Sequence, residues 1–379
     1  MTPIIRFVFP SVGREPGRRY IRSWQMEPLA IARLSALTPP EFRKEFYDDR
    51  LEPVPVDDAA DLVAMSVETY TARRAYQIAD RCRDRGLRVV MGGVHPTLVP
   101  DEALRHADAV VIGEAEPVWP ALLQDAAAGR LQQRYPSPSR PRLAGISFDR
   151  SIYAGKDYLD IGLVETARGC RFRCEFCSIS AFFDATYRAR PVEETVAEIR
   201  HLRTRRIFLV DDNLGADADR TREFLEALVP LNVTWVGQLA LNIAEDEAML
   251  RLMKRSGCGG VLIGFESLDP ASLTAMGKGV NHRGGEYYER ALRRLRKHGI
   301  AVYATFVFGY DNDTEESFRR TLEFAVRHGF FFAAFNHLVP FPGTPLYERL
   351  RREQRLVSDS WWLNSAYRFG DVADRKSVV

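Results

Sequence analysis

IGLVETARGCRFRCEFCSIS (residues 161–180) is an apolar strand pattern that runs straight into three of the chain's five cysteines, spaced C-x3-C-x2-C at Cys170, Cys174 and Cys177. A strand that hands directly to a ligand-rich loop puts that loop at the strand's C-terminal end, where parallel α/β barrels gather their chemistry. A closed zinc site takes four protein ligands, and this run supplies three. The other two cysteines, Cys82 in an N-terminal helical segment and Cys258 expected at an apolar helix end, have no partner at ligand spacing. The nearest downstream histidine, His201, falls inside a helical turn. Three thiolates do suit a cubane cluster, in which each of three irons takes one protein ligand and the fourth iron stays open to another.

The same alternation extends downstream. Strand-like runs RIFLVDD, VTWVGQLAL, GGVLIGFES, AVYATFVFG and FFFAAFNHLVP alternate with amphipathic helical segments, so residues 161–350 predict six βα repeats, a partial (β/α)6 barrel. Upstream, residues 1–133 hold five strand-like runs interleaved with helices, the pattern of a flavodoxin-like, Rossmann-like α/β domain. YPSPSRPRLAGISFDRS, rich in Pro, Ser and Arg, reads as part of a linker over 134–160. Residues 351–379 are expected to begin a further region, in which Trp361 and Trp362 read as packing aromatics or as the start of a cover over the barrel. The last six residues, DRKSVV, close no element, and their codons can spell a sequencing adaptor. The natural reading frame is therefore expected to have been cut near Ala373.

Composition bounds the partners. With 379 residues, 53 basic and 51 acidic side chains and a formal charge of +2, nothing draws the chain to nucleic acid or to an anionic membrane. No apolar run reaches the length of a membrane-spanning helix. Few, clustered cysteines suit a reducing compartment, and the expectation is a cytoplasmic protein.

CRFRCEFC resembles the C-x3-C-x-aromatic-C signature of the radical S-adenosylmethionine (SAM) superfamily, set after the first strand of a partial barrel as in that family. The resemblance covers residues from about 161 to 350 and implies a [4Fe–4S] cluster on Cys170, Cys174 and Cys177, with Phe176 as an apolar wall of the loop. It further implies that the open iron chelates SAM, which one electron cleaves to a 5′-deoxyadenosyl radical. Asp211, Asp212 and Asn213 stand where the family carries a Gly-Gly-Glu-like loop near the SAM amino group, a departure from its pattern; Asp212 and Asn213 are implied SAM contacts, and an ordinary helix N-cap is the competing reading. Gln238, Glu266 and Ser267 end the third and fourth strands as implied SAM contacts, and Val339 and Pro340 follow the sixth near the implied adenine position.

The N-terminal domain resembles the cobalamin-binding module found ahead of such barrels, on the runs MEPLAIARLSAL, SVETYT, MGGVHPTLVPDEAL and VIGEAEPVWPALL. Ser66, Glu68 and Thr69, with Gly92, Gly93 and Gly113, end its strands and are the implied cobalamin contacts, the glycines because they let a large ligand approach the backbone. The Asp-x-His-x-x-Gly loop that supplies an axial histidine in some modules is missing; His95 in GGVHPT is expected to be a loop residue satisfied by backbone. The leading functional reading is a cobalamin-dependent radical SAM C-methyltransferase. The alternative is a radical SAM cyclase, oxidase or rearrangement enzyme with a vestigial or non-methylating cobalamin domain. Cofactors implied are the [4Fe–4S] cluster, SAM and cobalamin; partners are a small-molecule, natural-product or lipid-type substrate and a reductant such as flavodoxin or ferredoxin.

Overall fold

IIRFVF, apolar but for Arg6, forms an interior strand of a sheet that needs cover on both faces. In the computed structural model, which describes residues 2–12, 25–281 and 284–367, the chain divides into two units, one of residues up to 159 with 360–367, the other of residues 160–359.

The first unit runs β1 (Ile4–Phe9), α1 (Leu29–Leu37), β2 (Arg43–Asp48), β3 (Leu62–Ser66), α2 (Ala72–Arg83), β4 (Val89–Gly92), α3 (Val94–Leu98), α4 (Pro100–Ala103), β5 (Ala109–Ile112), α5 (Trp119–Ala127) and β6 (Arg134–Pro136). The strands are parallel in the order β2-β1-β3-β4-β5-β6, so the winding reverses at β1/β3, the place where open α/β sheets bind ligands. Phe7, Ile31, Leu62, Leu122 and Trp119 form its core, and the Trp119 indole donates to Thr38 Oγ1 at 3.0 Å.

Part of the stretch expected as a linker belongs to this unit. Arg134–Pro136 pairs with β5 as a sixth strand, Tyr153 joins the core, and its hydroxyl donates to the Pro28 carbonyl at 2.7 Å. Asp149 accepts from Ser35 Oγ at 2.7 Å and from Lys44 Nζ at 2.8 Å. Pro and Ser hid the singly spaced apolar anchors Tyr135, Leu143, Ile146 and Tyr153, all buried. Residues 360–367 return to the same unit, where Trp361 packs edge-on to Tyr70 (5.6 Å) and the Trp362 indole donates to Glu102 at 2.9 Å. Both tryptophans are packing aromatics of the first unit. The DRKSVV end lies outside the described residues.

The second unit runs β7 (Gly162–Val164), β8 (Ala167–Gly169), α6 (Ser178–Phe183), β9 (Tyr187–Ala189), α7 (Val192–His201), β10 (Arg206–Leu209), α8 (Ala218–Leu228) and β11 (Thr234–Gln238). It continues with α9 (Glu247–Arg255), β12 (Cys258–Glu266), α10 (Pro270–Ala275), α11 (Gly284–Lys297), β13 (Ala301–Phe308), α12 (Glu315–His328), β14 (Phe332–His337) and α13 (Pro345–Arg352). Six parallel strands lie in chain order, β7-β10-β11-β12-β13-β14, the open barrel expected from six repeats. The β8–β9 hairpin is an antiparallel insert. Cys258 opens β12 instead of ending a helix; its thiol is buried against the Gly260 carbonyl at 3.7 Å.

Two rows of side chains on one face of this sheet differ in bulk. Gln238, Leu262, Tyr303 and Phe332 are register partners, and the last two rings meet edge-on at 4.7 Å. One step toward the strands' C-terminal ends the partners are Gly264, Thr305 and Ala334. The side chains on this face thus shrink toward the C-terminal ends, and the Glu266 carboxylate lies over Gly264.

Candidate active site

The cysteine loop is positioned by the hairpin before it. At Gly169 φ is +84°, and a Cβ there would lie 2.0 Å from the Thr186 carbonyl oxygen, so glycine alone lets β8 turn into Cys170. Asp211 is buried: Oδ1 accepts from the backbone N–H of Thr166 (2.6 Å) and Ala167 (3.1 Å), and Oδ2 from the Thr166 hydroxyl. Asp212 Oδ2 accepts from Gly169 N at 2.8 Å. Burial pushes both carboxyls up to about 6 against these hydrogen bonds. Asn213 Nδ2 faces Cys170 Sγ at 3.9 Å, while its Oδ1 accepts from Ala240 N at 3.2 Å. Asn213 stands at the N-cap position of a short 3-10 turn (Leu214–Ala216) without a side-chain capping bond, while α8 is capped by Asp217, whose carboxylate accepts from Arg220 N at 3.1 Å. Asp211–Asn213 tie the second strand's end to the approach of the cysteine loop.

Within the loop, Cys177 N donates to the Cys174 carbonyl (3.1 Å) and Ser180 Oγ to the Phe172 carbonyl (2.8 Å). Cys174 is buried; Cys170, Phe176 and Cys177 are half-buried. Burial pushes the Cys174 thiol up to about 11 and raises Cys170, so metal uptake here must expel protons. Among the described residues no group of three or more His, Cys, Asp or Glu closes round a single ion position. One thiolate per iron is what a multi-iron group asks of three cysteines in one loop.

Glu266 sits in a left-handed conformation, φ +64°, where β12 slips register against β13. Its carboxylate accepts from Lys278 Nζ at 2.8 Å. Gly264 makes that possible, since a Cβ there would lie 2.1 Å from Glu266 Oε1. Asn281 Nδ2 donates to the Gly264 (2.9 Å) and Phe265 (3.0 Å) carbonyls, and the Tyr288 hydroxyl donates to Phe265 O at 3.1 Å. A left-handed glutamate costs energy and persists where its surroundings over-determine it, most often at functional sites. Ser267 is buried and accepts from Asp269 N at 3.0 Å. Gln238 is exposed, donating to the Asp212 carbonyl at 3.2 Å, and the half-buried Val339 accepts from Phe341 N at 3.1 Å. Sequence reasoning missed Lys278, which follows α10 between two glycines with only its charge to mark it. It also missed Arg349, far away in sequence.

In the first unit, Ser66 and Gly92 are register partners at the open ends of β3 and β4, half-buried. Gly113 ends β5 with its N–H donating to Thr97 Oγ1 at 2.9 Å. Gly93 is required by the fold itself: at φ +107° a Cβ would lie 2.8 Å from the Val67 carbonyl oxygen. Glu68 N donates to Thr71 Oγ1 at 3.0 Å, starting a short turn. Thr69 is buried, its hydroxyl 3.3 Å from His95 Nδ1. His95 is therefore no loop residue satisfied by backbone: it lies in α3, fully buried, with Nε2 3.1 Å from both Tyr76 Oη and Glu102 Oε1. His95 is thus taken up by side-chain partners, and Ser66 and Gly92 stand half-buried at the strand ends.

These features define a radical SAM barrel preceded by a cobalamin-type module. Residues 164–325 match the Radical SAM superfamily and residues 47–123 the B12 binding domain. The chain is 33% identical over 341 residues to bacteriochlorophyllide d C-12(1)-methyltransferase of Chlorobaculum tepidum, covering 86% of this chain and 74% of that protein. It is 31% identical over 369 residues to bacteriochlorophyllide d C-8(2)-methyltransferase of the same organism, covering 92% and 81%. The solved radical SAM methyltransferase TsrM from Kitasatospora setae, with cobalamin and a [4Fe-4S] cluster bound, shares the fold at a TM-score of 0.74 and 18% identity, over 93% of this chain and 75% of that one. The chain belongs to the radical SAM superfamily, in the branch that carries a B12-binding domain. It is a radical SAM enzyme, with cluster, SAM and cobalamin as the cofactors that membership brings.

Proposed function

We propose that the enzyme methylates a carbon of an apolar, ring-bearing small molecule, with a chlorin macrocycle as the first acceptor class to test. The observation that carries this is the identity, across both domains, to two methyltransferases named for bacteriochlorophyllide d. The cluster and cobalamin, when bound, supply SAM cleavage and a methyl carrier respectively. Cys170, Cys174 and Cys177 would hold the cluster; Asp211, Asp212 and Asn213 fix the loop that bears them. Gln238, Glu266, Ser267, Val339 and Phe176 would border SAM, and Ser66, Thr69, Gly92, Gly93 and Gly113 the corrin, Thr69 and Gly93 by shaping the edge.

No helix among the described residues is long and apolar enough to cross a membrane. We place the enzyme in a reducing cytoplasm with a flavodoxin- or ferredoxin-type reductant and no nucleic-acid partner. The test supplies reconstituted protein with cobalamin, reductant, methyl-labelled SAM and a chlorin acceptor. Label in the macrocycle, read by mass spectrometry, supports the reading; SAM cleavage without label in any of a panel of chlorins and polycyclic lipids contradicts it.

A further inference from the structure

Lys278 lies in TAMGKG (residues 274–279), just after α10. The backbone before it rests on the cysteine loop: Glu175 N donates to the Met276 carbonyl at 3.0 Å. A Cβ on Gly277 would lie 3.2 Å from the Arg173 carbonyl oxygen and 4.0 Å from Cys174 Cα. From there the Lys278 side chain reaches Glu266 Oε1 at 2.8 Å, the lysine 15% and the glutamate 9% exposed. The backbone that bears this carboxylate is held in the left-handed region, and the Gly264 and Phe265 carbonyls before it are fixed by Asn281 and Tyr288. The ammonium is thus held on Glu266, one residue beyond backbone that packs on the loop carrying the thiols.

We infer that Lys278 is a positioning residue that sets the electrostatic poise of the cysteine-held cluster, a fixed cation that favours its more negative, reduced state, with Glu266 as the clamp that holds and partly offsets that charge. A nearby charge in a poorly solvated site acts with little screening, and the surroundings of a cluster's sulfurs tune its potential. The ion pair with Glu266 partners the ammonium. The inference rests on the cluster reading above. It differs from a role in holding SAM, which would alter SAM affinity but leave the SAM-free cluster unchanged.

The test is an anaerobic redox titration, followed by electron paramagnetic resonance without SAM, of the reconstituted full chain and its K278M, K278R and E266Q variants. At the potential that half-reduces the wild-type cluster, K278M is expected to stay about tenfold more oxidised, about 59 mV for one electron. E266Q is expected to move in the opposite direction, and K278R, which keeps the charge, to stay close to wild type. A fully loaded K278M with the wild-type midpoint overturns the inference, as does E266Q shifting the same way as K278M. If K278M takes up no iron, E266Q and K278R decide: easier reduction of E266Q supports the inference, and an unshifted E266Q overturns it. A wild-type chain that binds no iron overturns the cluster reading, and this inference with it, whereas an unshifted K278M overturns the inference alone.

Discussion

Arg349 on α13 donates to Glu175, the residue between Cys174 and Phe176, at 2.9 Å, so a helix 174 residues away in sequence grips the cysteine loop. The backbone reinforces the grip, with Leu346 N donating to the Glu175 carbonyl at 3.0 Å. Replacing Arg349 with Met removes a half-buried ion pair, worth about 1 kcal/mol to stability. The larger expected effect is on the loop: R349M should lose iron several-fold faster than wild type under a chelator. Equal rates would show that the clamp is not needed.

Two glycines test which close approaches can yield. A Cβ on Gly169 meets the Thr186 backbone oxygen, whereas one on Gly264 meets the Glu266 carboxylate, a side chain that can move. G169A should therefore cost about 3 kcal/mol or more in denaturant unfolding, because the backbone must also leave φ +84°. G264A should unfold closer to wild type but break the Glu266–Lys278 pair and weaken SAM binding at least tenfold in equilibrium titration. The reverse order of effects would contradict this placement of the two residues.

Asp149 links the 134–159 segment to α1 and β2. Burial works to raise its carboxyl, but Lys44, Ser151 and Ser35 together hold it well below the ordinary carboxylate range. A carboxyl lowered on folding stabilises the native state fully above its unfolded value, about 3.9, and the contribution is lost as pH falls toward the folded value. D149N should be less stable than wild type by about 2 kcal/mol at pH 7. The gap should close as the pH is lowered below about 4. A gap that persists unchanged in acid would mean that the ionised carboxylate is not what holds the segment.

Trp362 puts its indole N–H on Glu102, which also receives His95 and Tyr76 at 3.1 and 2.9 Å. W362F keeps the ring and removes the donor, so about 1–2 kcal/mol should be lost. Thermal unfolding read from the first unit measures it, and an unchanged midpoint would show the C-terminal strap to be dispensable there.

How far the sequence was readable follows from what kind of signal each feature leaves. The cysteine run and the six strand-like segments of the barrel are local patterns, and each strand forms where its residues predict it. The 134–159 segment was misjudged because its anchors, Tyr135, Leu143, Ile146 and Tyr153, are isolated among prolines and serines and bury only once a sheet edge exists. Lys278 and Arg349 carry no local pattern; only the folded chain brings one beside Glu266 and the other beside Glu175. Glu266 was legible as a strand-end carboxylate, but its left-handed backbone depends on a bulge that no spacing announces. His95 looked like a loop residue because its partners Thr69, Tyr76 and Glu102 are scattered in sequence.

The central claim is that Cys170, Cys174 and Cys177 hold a cluster that cleaves SAM. Its most direct test is anaerobic iron reconstitution followed by incubation with SAM and a low-potential reductant, with wild type and Cys174→Ala side by side. The account predicts roughly four irons per wild-type chain and reductant-dependent 5′-deoxyadenosine. In the variant it predicts the loss of both. SAM cleavage that survives the loss of Cys174, or a fully loaded wild-type cluster that leaves SAM intact, would contradict it.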